Sequence, residues 1–304
     1  MDSIMKNVSI WISAMRLRTL PLSVSGIIVA SSFAAYNGCF NLQIFLLAIL
    51  TTISLQILSN LANDYGDGVK GTDDAERIGP ERAIQSGKIT PNLMFEAIKL
   101  NILVCIVLSF LLIFSAFGSQ HFLLTLLYFV LGIASVIAAI RYTIGSKAYG
   151  YRGLGDAYVF IFFGLVSVIG CYVLYAKTVH HVVFLPAITI GLLSVAVLNL
   201  NNMRDIISDK ASGKITLAVK LGVTKAKTYH LFLIISAIVV SALWGILYYT
   251  SPLNLIYFIA YIPLIKHIKT VKHNNAPQDL DPELKKVALS TFFLSVLLAV
   301  GHLF

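Results

Sequence analysis

Two short stretches of this 304-residue chain gather Asn and Asp in the same order. The first reads Asn60-Leu61-Ala62-Asn63-Asp64-Tyr65-Gly66-Asp67 and runs on through Lys70, Gly71 and Thr72 to Asp73 and Asp74. The second reads Asn199-Leu200-Asn201-Asn202-Met203-Arg204-Asp205 and runs on to Asp209. If helix continues into each motif, Asp64 and Asp67 share a face at i, i+3, and Asp205 and Asp209 share one at i, i+4. Six carboxylates gathered at two points repel one another, so they need compensating cations. Hard oxygen ligands at this spacing suit Mg²⁺, which binds one or two carboxylates plus the phosphate oxygens of a substrate. A helix C-terminus, with its partial negative charge, favours a cation at the same place. Lys70, Arg77, Arg82, Arg141, Lys147, Arg204 and Lys214 supply positive charge for the phosphates. The chemistry this describes is a diphosphate clamped by Mg²⁺ between two Asp clusters. A lone DxxxD would pass for solvated loop charge; two motifs sharing an Asn lead-in do not. Asn63 and Asn202 are read as site residues, against the alternative of helix capping. The similarity of the motifs also hints at an internal duplication.

The elements that must position them follow from composition. The chain is 58% hydrophobic and 12% charged, with a mean hydropathy of +0.84, where soluble chains carry about 25% charged residues. Residues 19–63, 100–140, 157–176, 178–203, 228–265 and 287–304 contain no Asp, Glu, Lys or Arg. A bilayer core takes about 20 residues of apolar helix, so the three long stretches hold two helices each and the others one. The expectation is nine transmembrane helices in one bundle, a single domain over 1–304. Turn chemistry divides the long stretches at Tyr36-Asn37-Gly38, Phe117-Gly118-Ser119 and Thr250-Ser251-Pro252. A soluble enzyme, a disulfide scaffold and a single-anchor protein are excluded.

Charge then orients the bundle. With nine crossings, 22 of the 23 Lys and Arg fall on one side, and Lys177 alone on the other. The positive-inside rule makes that side cytoplasmic, with the N-terminus inside and the C-terminus outside. All 14 acidic residues lie on the same side, so the polar chemistry is cytoplasmic and both motifs end helices that run inward. The net charge of +9 therefore records topology, and nucleic acid is not an expected partner. Cys39, Cys105 and Cys171 show no metal or redox spacing and read as apolar packing residues. The seven His show no paired ligand pattern. The first helix is too long, and too closely followed by further spans, for a cleaved signal.

Several segments together resemble the UbiA superfamily of intramembrane prenyltransferases. They are Arg16-Leu17-Arg18-Thr19-Leu20-Pro21, Asn63-Asp64-Tyr65-Gly66-Asp67 through Asp73, and Arg77-Ile78-Gly79-Pro80 with Arg82, Gln85 and Gly87. Tyr149-Gly150-Tyr151-Arg152-Gly153-Leu154-Gly155-Asp156 is similar to that family's start of helix 5. Asn201-Asn202-Met203-Arg204-Asp205 through Asp209, then Gly213-Lys214 and Thr216-Leu217-Ala218, are similar to its second motif. The resemblance covers nearly the whole chain. One position departs: where the superfamily often reads NDxxDxxxD, this chain has Gly71, with the next carboxylates at Asp73 and Asp74. That spacing is similar to the branch whose acceptor is 1,4-dihydroxy-2-naphthoate.

The resemblance implies nine helices, a Mg²⁺ cofactor, a polyprenyl diphosphate donor and this aromatic acceptor, with the lipid chain held in the membrane. It implies the bacterial cytoplasmic (inner) membrane as the location. Asp64, Asp67, Asp205 and Asp209 are then the catalytic metal ligands, and Asp73 a further candidate, with Asp74 or neither as alternatives. Arg16, Lys70, Arg77, Arg82, Lys147 and Arg204 are candidate diphosphate contacts, Arg141 a candidate substrate contact, and Gln85 a candidate for orienting the acceptor. The implied reaction replaces the ring carboxylate by the prenyl group, releasing diphosphate and CO₂ and giving demethylmenaquinone. No Ser or Cys nucleophile is needed. Rival readings are a 4-hydroxybenzoate prenyltransferase, a CDP-alcohol phosphotransferase and a divalent-cation transporter. The phosphotransferase reading lacks its Ala-Arg after Asp64-x-x-Asp67-Gly68, and the transporter reading wants ionisable groups at mid-membrane depth.

Overall fold

Inside a bilayer every backbone polar group needs a partner from the chain itself, which helices provide without leaving an edge. The computed structural model describes residues 2–72, 79 and 82–304, and among them it is helical with no strand. Helices α1 (Asp2–Met15) and α2 (Leu20–Tyr36) come first, followed by α3 (Leu42–Lys70), α4 (Pro91–Phe117) and α5 (Phe122–Arg141). Next are α6 (Gly155–Val159), a π-helical stretch over Phe160–Gly170, and α7 (Cys171–Ala176), which together make one rod. Then come α8 (Phe184–Arg204), the short α9 (Ile206–Ala211), α10 (Leu217–Leu247), α11 (Tyr261–His273) and α12 (Asp281–Leu303).

Eight of the described helices are long and apolar enough to cross a membrane. The expected turns at Asn37-Gly38 and Gly118-Ser119 separate α2 from α3 and α4 from α5. The segment after Pro252 differs from a simple long helix. It is 3₁₀ over Pro252–Ala260 and α only from Tyr261. Pro263 has no N–H to give to Ile259, and the Tyr261 N–H turns back to the Ile259 and Phe258 carbonyls. This segment lies antiparallel along α10. The Tyr257 hydroxyl donates to the Ser241 carbonyl (2.7 Å), His267 meets His230 (2.6 Å), and the Lys227 ammonium reaches the Asn274 carbonyl.

Sequence also sets where helices start and stop. The Asn41 side chain accepts the N–H groups of Gln43 and Ile44 at 2.9 and 3.1 Å and begins α3. Thr90 and Thr216 cap α4 and α10 in the same manner. Gly71, at φ 69°, ends α3 in the left-handed region that only glycine enters cheaply. The N-terminal part was not expected as helix. In it, α1 breaks at Arg16 (φ 50°), a three-residue 3₁₀ turn follows, and α2 begins at Leu20. Two apolar cores result. The larger joins α2, α7, α8, α10, α11 and α12 with the Ile44 end of α3 and the Phe117 end of α4; the smaller joins the rest of α3 and α4 to Ala14 of α1 and to Ala83 and Ile89.

Candidate active site

Helix α3 continues through the first motif to Lys70, so Asp64 and Asp67 do share a face, and each is 1% exposed. Their partners differ. Asp64 accepts the backbone N–H groups of Ala83 (3.1 Å) and Ile84 (3.4 Å), and so holds the turn after Arg82 against α3. Asp67 is surrounded by cations and a hydroxyl. Arg82 donates to it at 2.6 Å, the Tyr151 hydroxyl at 2.7 Å, and the Lys214 ammonium stands 3.7 Å away. Arg82 also donates to the Asn63 carbonyl (2.9 Å), and Thr143 donates to the Asn63 side-chain oxygen (3.3 Å).

In the second motif α8 ends at Arg204, and Asp205 (φ −96°, ψ 13°) is a hinge before α9. Arg204, 2% exposed, grips Asp205 with two parallel bonds of 2.8 and 2.7 Å. It also donates to Asn201 (2.9 Å) and pairs with Asp281. The Asp209 N–H bonds the Asp205 carbonyl at 2.8 Å, so the two carboxylates stand one turn apart. Asp209 reaches Lys214 at 3.4 Å through one oxygen, while its other oxygen is buried without a hydrogen-bond partner, as is the side-chain oxygen of Asn202. Burial pushes the Asp209 carboxyl up to about 6, against the pull of Lys214 and with Asp205 adding to the rise. Lys214 thus stands between Asp67 and Asp209 and brings the two motifs into one site.

A crossbar joins the halves. The short turn Tyr149–Arg152 presents the Tyr151 hydroxyl to Asp67 and to Thr72 (2.6 Å), while the Tyr151 carbonyl accepts the N–H of Ile215 (3.2 Å). Lys220 donates to the Arg152 carbonyl at 2.7 Å. Burial, with Asp67 beside it, holds the Tyr151 hydroxyl protonated far above neutrality. Lys70 and Lys214 lie 4.0 and 5.7 Å from the centre of the Tyr151 ring.

Beside the motifs lies a cavity of about 340 Å³ lined by Arg16, Arg18, Arg82 and Arg204, with Asp64, Ala83, Asn201 and the residues around Ser13. Of its four guanidinium groups, Arg82 is already paired with Asp67 and Arg204 with Asp205 and Asp281, so the anion-binding character of the cavity rests on how these groups fork toward it and on Arg16 and Arg18.

The expected site residues divide accordingly. Asp64, Asp67, Asn63, Arg82, Asn202, Arg204, Asp205 and Asp209 gather at the motifs, and Arg16 joins Arg82 at the cavity. Gln85 accepts the Arg82 N–H at 3.4 Å and sits on the turn that Asp64 holds. Lys70 turns to the carbonyls of Thr143 and Gly145 at 2.6 and 3.1 Å. Arg141 at the end of α5 and Lys147 on the connection after it are exposed, and neither pairs with a carboxylate among the described residues. Asp73 and Arg77 lie outside the described residues. Lys214, counted in the sequence only as one cation of that face, and Tyr151, present only as part of a resemblance, prove central. Among the described residues no three His, Cys, Asp or Glu side chains converge closely enough to hold a metal by themselves. The donor set instead fits a cation that completes its shell with substrate oxygens. The unpartnered oxygens of Asp209 and Asn202 are open positions for it.

The model of the UbiA prenyltransferase family matches residues 23–297. The chain belongs to this family. It is 41% identical to the 1,4-dihydroxy-2-naphthoate octaprenyltransferase of Escherichia coli, over 96% of this chain and 94% of that one. It is 38% identical to the enzyme of the same description from Haemophilus influenzae, over 98% and 97%. In fold it is similar to a UbiA homologue from Archaeoglobus fulgidus bound to DMAPP and Mg²⁺, with a TM-score of 0.64 and 14% identity over 96% of this chain and 99% of that one. The apo UbiA homologue of Aeropyrum pernix gives a TM-score of 0.64 at 13% identity, over 95% of each chain.

Proposed function

We propose that this chain transfers a polyprenyl group from a polyprenyl diphosphate to 1,4-dihydroxy-2-naphthoate, releasing diphosphate and CO₂ and giving the prenylated hydroquinone, which a separate two-electron oxidation converts to demethylmenaquinone. The carrying observation is the meeting of Asp67 and Asp209 across Lys214 beside an arginine-lined cavity. The choice of acceptor rests on the full-length relatives and on the Gly71-Thr72-Asp73 spacing. The implied cofactor is Mg²⁺, which Asp67 and Asp209 would hold together with Asp64 and Asp205. When bound, Mg²⁺ supplies Lewis-acid charge to the departing diphosphate.

The chain's own residues do the rest. Arg82 and Lys214 hold positive charge beside the leaving group as negative charge develops on it. The Tyr151 ring is already occupied by the Lys70 and Lys214 ammonium groups, so its part is to hold Asp67 through its hydroxyl. The ring carbon of the acceptor attacks the allylic cation, a C–C bond forms, and the ring carboxylate leaves as CO₂. Apolar helix walls keep water from quenching the cation.

The working face is cytoplasmic, in a bacterial cytoplasmic membrane with the N-terminus inside. The segment over 252–273 serves as a ninth crossing, the reading its antiparallel course along α10 supports.

The test incubates purified protein in lipid with a polyprenyl diphosphate, Mg²⁺ and either 1,4-dihydroxy-2-naphthoate or 4-hydroxybenzoate, with products read by mass. Prenylated naphthohydroquinone lacking the carboxylate, or the quinone that air makes of it, lost on adding EDTA or in Asp67→Ala, is the expected result. Prenylated hydroxybenzoate alone overturns the acceptor and keeps the mechanism. No product from either overturns the reading.

A further inference from the structure

The second motif is held from a helix far away in sequence. Arg204 is deeply buried, with its side chain 1% exposed, and its bonds go to Asn201, Asp205 and Asp281 and not to the first motif. One edge of its guanidinium grips both oxygens of Asp205 at 2.8 and 2.7 Å. Its remaining terminal nitrogen is taken by Asp281, whose side chain is 36% exposed. Asp281 opens α12, and the first turn of a helix favours a carboxylate in its charged form. Two residues on, Glu283 holds His267 of α11, which meets His230 of α10 at 2.6 Å. The first turn of α12 is thus tied to α8 by Asp281 and to α10 and α11 by Glu283.

We infer that Asp281 is a positioning residue for the metal-binding motif, acting through Arg204 to set both the orientation and the charge of Asp205. The inference rests on the Mg²⁺ reading above. Asp205, Arg204 and Asp281 together carry one net negative charge. Without the Asp281 charge the trio is neutral, and Arg204 is left to Asp205 alone, which blunts that carboxylate toward a divalent cation. The hinge at Asp205 also loses its outer tether, so the direction of its oxygens is less restricted. Outer partners of this type commonly change metal affinity by about 10–100-fold when removed. Asp281 stands at the low end of that range, since its side chain is partly solvated.

The experiment titrates full-length protein in nanodiscs with Mn²⁺ in the presence of inorganic pyrophosphate, following free Mn²⁺ by electron paramagnetic resonance. Thermal melting is recorded for each variant. Asp281→Asn is expected to raise the Mn²⁺ half-saturation about tenfold, and Asp281→Glu to return it to within about twofold of wild type. Arg204→Lys keeps the buried charge but loses the fork that grips both carboxylates, so it shifts in the same direction. Glu283→Gln, in the same turn, lowers the melting temperature and leaves the Mn²⁺ half-saturation in place, which separates positioning from general support of α12. Wild-type uptake with an unchanged half-saturation in Asp281→Asn or Arg204→Lys overturns the inference alone. No uptake by wild type overturns it together with the metal reading.

Discussion

At Lys214 the two halves of the site share one ammonium group, 3.7 Å from Asp67 and 3.4 Å from Asp209. A divalent cation bound by the same carboxylates competes with it for their charge. Lys214→Ala therefore binds Mn²⁺ more tightly than wild type when no diphosphate is present, by roughly tenfold, about 1.4 kcal/mol. The same variant loses turnover, because a cation beside the leaving group is gone. Tighter Mn²⁺ binding with slower product formation is the expected pair of results; unchanged Mn²⁺ binding refutes the competition. Tyr151 acts on the same carboxylate as a neutral donor. In Tyr151→Phe, Asp67 keeps its two cations but loses a hydrogen bond of 2.7 Å. A bond from a neutral donor to a buried charge is worth about 1.5–3 kcal/mol of stability, so a lowered melting temperature is expected together with a fall in kcat/KM of roughly 10- to 100-fold. These two residues also mark how far the sequence could be read. The carboxylates announce themselves by spacing, and Lys214 by its sign. That the lysine bridges the motifs, and that a tyrosine 84 residues beyond Asp67 reaches it, follows from how helices pack, which spacing along one helix does not contain.

Among elements, the packing of α3 against the corner after α5 decides whether the first motif meets the crossbar. Gly66 lies on α3 between Asp64 and Asp67. A Cβ there would stand 2.6 Å from the Thr143 hydroxyl oxygen and 2.9 Å from the Thr143 carbonyl carbon. The second contact is with backbone, so no rotamer change relieves it. Thr143 itself donates to the Ala62 carbonyl at 2.9 Å and is fully buried. Gly66→Ala is expected to cost about 1–3 kcal/mol of stability and to lower activity beyond what its distance from the cations suggests. Thermal melting alongside product formation checks both. The uncharged runs and their turn residues made most spans legible, because a bilayer tolerates little else. Helix α1 escaped that logic: it carries Asp2 and Lys6 within it, and it is bounded by a left-handed Arg16 rather than a glycine. The π-helical stretch of Phe160–Gly170 escaped too, since uniformly apolar residues carry no period that distinguishes one helical winding from another.

At the scale of the molecule, the number of crossings decides which side each loop occupies. Eight long helices are present among the described residues, and with eight crossings α12 would begin on the outer side, together with Lys285 and Lys286. With nine, the segment over 252–273 returns the chain to the cytoplasm and places Lys266, Lys269 and Lys272 there with them. The second arrangement agrees with the positive-inside bias. It also agrees with the contact of Lys227, near the start of α10, with Asn274, just past the end of α11. Single cysteines separate the two. The half-buried native Cys39 is first replaced by Ser, while Cys105 and Cys171 are buried. Tyr249→Cys and His273→Cys, both exposed positions, are then treated in intact cells with a membrane-impermeant maleimide. Nine crossings predict labelling at 249 and protection at 273 until the membrane is opened. Labelling of both in intact cells establishes eight crossings and removes the first turn of α12, with Asp281, from the face that carries the two Asp motifs.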